Sequence, residues 1–361
     1  MEQFPDIPPR FLKKGKYQSQ LKENLVRCGN CEHKCKIKPG KIGVCGTRLN
    51  NKNTIYSIVY GCIPALSINP IEKKPLFHFY PGTKAITAGT YGCNFNCFWC
   101  QNHHLSHPKF VIRENLKDRE DLYIPPQDLI KKAIENNCQG TSISFNEPTL
   151  LFEYALEVFS LAKEQGLYNT YVSNGYMTEQ VLRDLAKHGL DAINIDIKGD
   201  KEMVEKYCNA DVEKGWRNAK LAIELGIHTE ITILIIEGFN SEEKTVKKMT
   251  KRILNELGED IAVHLNRFYP HYKSSDYGLE SPTDRELMRK VYNVAKDQGL
   301  KYVYLGNLPT TEYQHTRCPN CSKIVIKRGL RGIEITRLNE KGECINCGEN
   351  LFDKTELWRK S

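Results

Sequence analysis

Several absences narrow this sequence before any motif is read. No apolar run approaches the ~20 residues that a membrane-spanning helix needs, the best stretch being Ile231 to Ile236. No charged, hydrophobic and small-residue leader opens the chain, because Met1-Glu-Gln-Phe-Pro-Asp6 is polar. A cytoplasmic protein without a membrane partner is the expectation. There is no strong basic tract either, although 52 Lys+Arg against 44 Asp+Glu leave a net charge of +8. The basic residues are scattered, so charge alone does not separate a solvated, lysine-rich surface from one that meets a polyanion such as RNA. The low apolar content of a disordered chain is absent as well: 40% of residues are hydrophobic, enough for a substantial core. At 361 residues the chain has room for one large domain and small modules.

Cysteine, by contrast, is abundant. There are 14, mostly in CxxC-like clusters, and in a leaderless chain such spacing points to metal rather than disulfides. The densest stretch is Tyr91-Gly92-Cys93-Asn94-Phe95-Asn96-Cys97-Phe98-Trp99-Cys100-Gln101-Asn102, a C-x3-C-x2-C loop. Three thiolates can hold three irons of a 4Fe–4S cubane and leave the fourth without a protein ligand. An open metal position is a reactive one, and S-adenosylmethionine can fill it through its amino and carboxylate groups. The competing reading is a zinc loop completed by His103 or His104.

That loop, preceded by Asn69-Pro-Ile-Glu-Lys-Lys-Pro-Leu-Phe-His-Phe-Tyr-Pro-Gly82, resembles the AmmeMemoRadiSam type of radical SAM enzyme, a relative of the pyruvate formate-lyase activating enzymes. The resemblance covers nearly the whole chain. Asn69 departs from it, standing where the family usually has Asp. The resemblance implies that a cluster on Cys93, Cys97 and Cys100 cleaves S-adenosylmethionine to a 5′-deoxyadenosyl radical.

Three regions are expected: a cysteine-rich module over 1–84, a radical SAM domain over 85–310, and a second cysteine module over 311–361. In the first, Cys28, Cys31, Cys35 and Cys45 sit among glycines that suit a tight metal knuckle. Zinc and an auxiliary iron–sulfur cluster fit equally well there. His33 reads as a surface residue, and Cys62, Cys138 and Cys208 as buried thiols. In the last, Cys318, Cys321, Cys344 and Cys347 form two knuckles around a hairpin, a zinc-ribbon pattern.

Between the modules, strands and helices alternate. Strands are expected at Ala85–Tyr91, Thr141–Phe145, Tyr168–Ser173, Asp191–Ile197, His228–Ile236, Ile261–Phe268 and Tyr302–Leu305. Helices are expected from Pro126 with Leu129, Ile130, Ala133 and Ile134 on one face, from Leu150, after Thr178, in one long region to about Leu225, and after capping boxes at Asn240 and Thr283. Alternation of this kind implies a parallel sheet with right-handed crossovers, in an α/β fold read as a partial TIM-like (β/α)6 barrel. Chemistry then belongs at the C-terminal strand ends.

The polar residues at those ends form the candidate site. Asn146 and Glu147 resemble the radical SAM segment that meets the methionine amino group, although an ordinary helix cap is the alternative. Ser173 and Asn174 could bond the ribose or carboxylate, or simply build an Asn-Gly turn. Asp196 and Lys198 resemble the Asp-x-Lys of glycyl-radical activating enzymes and share one strand face. His264 and Arg267 are candidates for holding substrate or the carboxylate. The leading expectation is a radical SAM enzyme served by a flavodoxin- or ferredoxin-type electron donor. Its unidentified substrate is read as macromolecular, protein or RNA, with a terminal module near the mouth. A glycyl-radical activase and a non-catalytic metal- and nucleic-acid-binding protein are the alternatives.

Overall fold

A computed structural model describes residues 7–329 and 332–351. Its centre is an eight-stranded sheet: β1 (Ala65–Pro70), β2 (Lys84–Gly89), β3 (Gly140–Ile143), β4 (Tyr168–Ser173), β5 (Ala192–Asp196), β6 (His228–Ile235), β7 (Ala262–Arg267) and β8 (Tyr302–Gly306), hydrogen-bonded in chain order. β2 to β8 run parallel, one more strand than a sixfold barrel supplies, and β1 is antiparallel at the edge. Edge strand β1 is half exposed, with Leu66 and Ile68 turned to solvent. Among the described residues no helix is long and apolar enough to cross a membrane.

The helices lie on one face of this sheet: α1 (Pro126–Glu135), α2 (Phe152–Glu164), α3 (Glu179–Lys187), α4 (Lys201–Cys208), α5 (Val212–Glu224), α6 (Glu243–Leu257) and α7 (Arg285–Asp297). Ile86, Ile143, Tyr171, Ile193, Ile231 and Leu265 pack with them in the main core. Along each strand these apolar residues alternate with polar ones, and that period of two marks the strands in the sequence. Four local expectations change. Ile134 is exposed rather than on the inner face of α1. The long helix to Leu225 is two helices: Asn209 ends α4 in the left-handed region (φ 55) and the Asp211 carboxylate caps α5. Asn240 closes the turn after β6, accepting from Ile236 N at 2.8 Å, instead of capping α6, and Asp284 rather than Thr283 caps α7.

The other face of the sheet is polar. Strand register puts Thr87, Ser142, Thr170, Asn194, Glu230, His264 and Tyr304 on one side. The segment between β1 and β2 fills the end from which the parallel strands start. Ile71, Leu76 and Phe79 pack there against Ala85, Tyr168 and Ala192. The amides of Phe77 and His78 donate to the Glu230 carboxylate at 3.0 and 2.7 Å.

The two cysteine modules sit at opposite ends of the strands. The C-terminal one is a three-stranded antiparallel sheet (Thr316–Arg317, Ile324–Gly329, Gly332–Thr336). It docks at the strand starts through buried Arg328, which donates to Phe77 O at 2.7 Å and lies 4.1 Å from the centre of the Phe77 ring. Its described residues therefore lie away from the C-terminal strand ends. The N-terminal module holds that position. Asn30 donates to Thr149 O at 2.6 Å, Thr178 to Gly29 O at 2.8 Å, and Tyr17 to Asp184 at 2.6 Å. A buried Arg48–Glu153 pair at 2.7 Å joins it to α2.

Candidate active site

The Cys93–Cys100 loop leaves the C-terminal end of β2 and is fixed from three directions. Asn146, beyond β3, accepts from Thr90 N at 3.1 Å and donates to Gly92 O at 2.7 Å. Asn174, beyond β4, donates to Asn94 Oδ1 at 2.8 Å. His33 of the N-terminal module meets Asn94 O at 2.6 Å, so it is a loop contact and not the surface residue expected. Gly92 has φ +88, and a side chain there would run into the Cys45 carbonyl. Phe95, Phe98 and Trp99 are buried, and Phe98 stacks on Tyr277 with ring centres 3.8 Å apart.

Three thiols share this cradle. Burial pushes Cys93 and Cys100 up, while at Cys97 a hydrogen bond with the Cys208 thiol adds to burial in the same direction. The nearby Lys198 ammonium pulls Cys97 and Cys100 the other way. Cys208, the last residue of α4, lies 3.4 Å from Cys97 Sγ, and its carbonyl accepts from Asn96 N at 3.2 Å. It read as an isolated thiol because 111 residues separate it from Cys97 and no motif surrounds it.

Asp196 and Lys198 form an ion pair at 2.5 Å. Burial pushes the Lys198 ammonium down, but Asp196 and the Cys97 thiol more than offset this and hold it protonated. Glu147 Oε1 accepts from Thr149 N at 3.1 Å, so the cap is real. The same carboxylate also takes Ser173 Oγ at 2.9 Å and Asn174 N at 2.9 Å. Asn146, Glu147, Ser173 and Asn174 thus form one scaffold under the loop.

His264 and Arg267 are not gathered with these groups. An odd separation along β7 turns them to opposite faces. His264 is sealed at 2.6 Å from Glu230, with Phe77 and Tyr304 against its ring. Arg267 donates to Thr283 O at 2.5 Å and to Tyr269, and lines a cleft of about 470 Å³ with Trp99 and Gln101.

The donor set fits an iron–sulfur cluster with a bound cofactor better than a closed zinc site. Cys93, Cys97 and Cys100 do not converge to single-ion spacing, whereas the C-terminal four cysteines lie within 4.8 Å of one another. His103 points its Nδ1 at Cys100 O (3.3 Å) and stacks on Tyr272. Asn94 Nδ2, Trp99 Nε1 and Asp196 Oδ1 are buried without a partner among the described residues, and such groups call for a ligand.

The radical SAM superfamily profile matches residues 88–249, which carry the loop and all the scaffold residues. The chain is 37% identical to uncharacterized protein MJ0808 of Methanocaldococcus jannaschii, over 94% of this chain and 99% of that one. The chain belongs to the radical SAM superfamily. Another relative, "Putative glycyl-radical enzyme activating enzyme MJ1632" of the same organism, is 25% identical over 60% of this chain and 78% of its own length. A solved domain of a pyruvate-formate lyase-activating enzyme from Bacteroides vulgatus superposes with a TM-score of 0.40 at 19% identity, covering 46% of this chain and 99% of that domain. Superfamily membership implies a 4Fe–4S cluster and S-adenosylmethionine, and the three-thiol cradle fits both.

Proposed function

We propose that this chain is a radical SAM enzyme of the AmmeMemoRadiSam type, with Cys93, Cys97 and Cys100 as ligands of a 4Fe–4S cluster. The observation that carries the reading is the three-thiol loop pinned by Asn146 and Asn174 opposite the Asp196–Lys198 pair. When bound, the cluster and S-adenosylmethionine supply a 5′-deoxyadenosyl radical that takes hydrogen from the substrate. Asn146 fixes the start of the loop, and Asn174 fixes Asn94. Lys198 sets positive charge beside two of the thiols and lowers the cost of ionising them. Asp196 keeps one oxygen free for a donor on the cofactor or substrate. Buried Phe95, Phe98 and Trp99 limit water around the loop.

The electron donor in this reading is a flavodoxin- or ferredoxin-type protein. The substrate is a macromolecule, reaching the loop through the clefts that open beside it. The Asp196–Lys198 pair also supports a second reading, activation of a glycyl-radical enzyme. Reconstituted, reduced protein should release methionine and 5′-deoxyadenosine from S-adenosylmethionine, and Cys97→Ala should abolish this while keeping the C-terminal metal. Undiminished cleavage in that variant sinks the assignment. Incubation with deuterated cell fractions divided by size then separates the substrate readings, since label arriving only from small molecules refutes a macromolecule.

A further inference from the structure

Cys28, Cys31, Cys35 and Cys45 all line one small cavity, closed by Ile37, Leu150, Arg48 and Lys34. The two cysteine modules of this molecule differ in spacing. Tetrahedral zinc, with Zn–S bonds of about 2.3 Å, draws four sulfurs to about 3.8 Å from one another. The C-terminal four match that, with Cys318–Cys347 at 3.5 Å and Cys321–Cys344 at 3.8 Å. The N-terminal four surround a space, and among the described residues it is the C-terminal four that gather as a single-ion group, not these or Cys93, Cys97 and Cys100. A cubane is wider than a single ion and holds its thiolates further apart.

Two further observations suit a cluster. Backbone amides of Asn30, His33 and Val44 hydrogen-bond the sulfurs of Cys28, Cys31 and Cys35, the kind of contact that tunes cluster potentials. Lys34 and Arg48 in the cavity wall place cations against a group of four thiolates. The cavity also adjoins the Cys93 loop: Cys45 and Cys93 line one cleft of about 550 Å³.

We infer that Cys28, Cys31, Cys35 and Cys45 hold a second 4Fe–4S cluster, beside the first and closed by four protein ligands. The test is metal analysis of the full-length chain carrying C93A, C97A and C100A, purified without oxygen. Expected are about four iron and four labile sulfide per chain, with an iron–sulfur signal in electron paramagnetic resonance after reduction. Zinc at this site in place of iron and sulfide overturns the inference. So does iron that persists when Cys28→Ala and Cys31→Ala are added. Should the triple variant fail to fold, the unmodified chain gives the same answer: about eight iron should fall to about four on Cys28→Ala with Cys31→Ala. None of these readouts involves S-adenosylmethionine, so the inference and the proposed activity fail separately.

Discussion

Lys198 and His78 show what one side chain does in each half of the molecule. Lys198 stands between Asp196 and the thiols, and a charge-assisted contact of this kind is worth about 1.5–3 kcal/mol. Lys198→Ala should therefore slow S-adenosylmethionine cleavage by about 10- to 100-fold with little change in melting temperature. Normal turnover with a lowered melting temperature would mean that the pair is only structural. His78 works at the other end of the sheet. Burial holds its imidazole well below the ordinary range, although Glu230 pulls upward, so it stays neutral in the fold. The unfolded chain takes up a proton below about pH 6.5 while the folded chain does not. Stability should therefore fall as pH drops below that value, by at most about 1.4 kcal/mol per pH unit from this group. Urea midpoints at about pH 7.5 and 5.5 should converge more closely in His78→Gln than in the parent. Equal losses in both proteins would assign the titration elsewhere. At this scale the sequence was partly legible. Asp196 and Lys198 were visible because alternation places them on one face. Cys208 and His33 were not, because their partners are distant in sequence.

At the level of elements, α2 and the N-terminal module are bound by the buried Arg48–Glu153 pair. Removing one member leaves an uncompensated charge at a cost of about 3–5 kcal/mol, so Arg48→Ala should shift the unfolding midpoint accordingly. Arg48→Met with Glu153→Met should recover much of the loss, and a double variant as unstable as the single would show that the charges are not the issue. The strands themselves were legible because apolar residues facing the helices recur at every second position, between turn-forming residues. The break at Asn209 was not, since a left-handed Asn looks like any other Asn inside a helical pattern.

For the whole molecule, the decisive fact is polarity. The thiol loop and the N-terminal module share one end of the sheet, and the C-terminal ribbon holds the other. If the four C-terminal cysteines hold a metal as proposed, Cys321→Ser with Cys347→Ser should release it and lower stability, yet leave S-adenosylmethionine cleavage intact, because the described residues of this module contact the strand starts. Loss of cleavage alongside an unchanged melting temperature would contradict this arrangement. Composition marked the ribbon as a module, but nothing near Cys318 announces that Arg328 will meet Phe77, 251 positions earlier.

That separation has a consequence for synthesis. The N-terminal cysteines leave the ribosome first, but Thr149, Glu153 and Asp184, which seat their module, follow more than a hundred residues later. At roughly 5–20 residues per second the nascent thiols wait many seconds for their seat. The far end waits longest: Phe77 and Tyr304 gain their cover only when Arg328 has been translated. A chain interrupted shortly before that point lacks the guanidinium that lies over both rings, so this end of the sheet is the last to close.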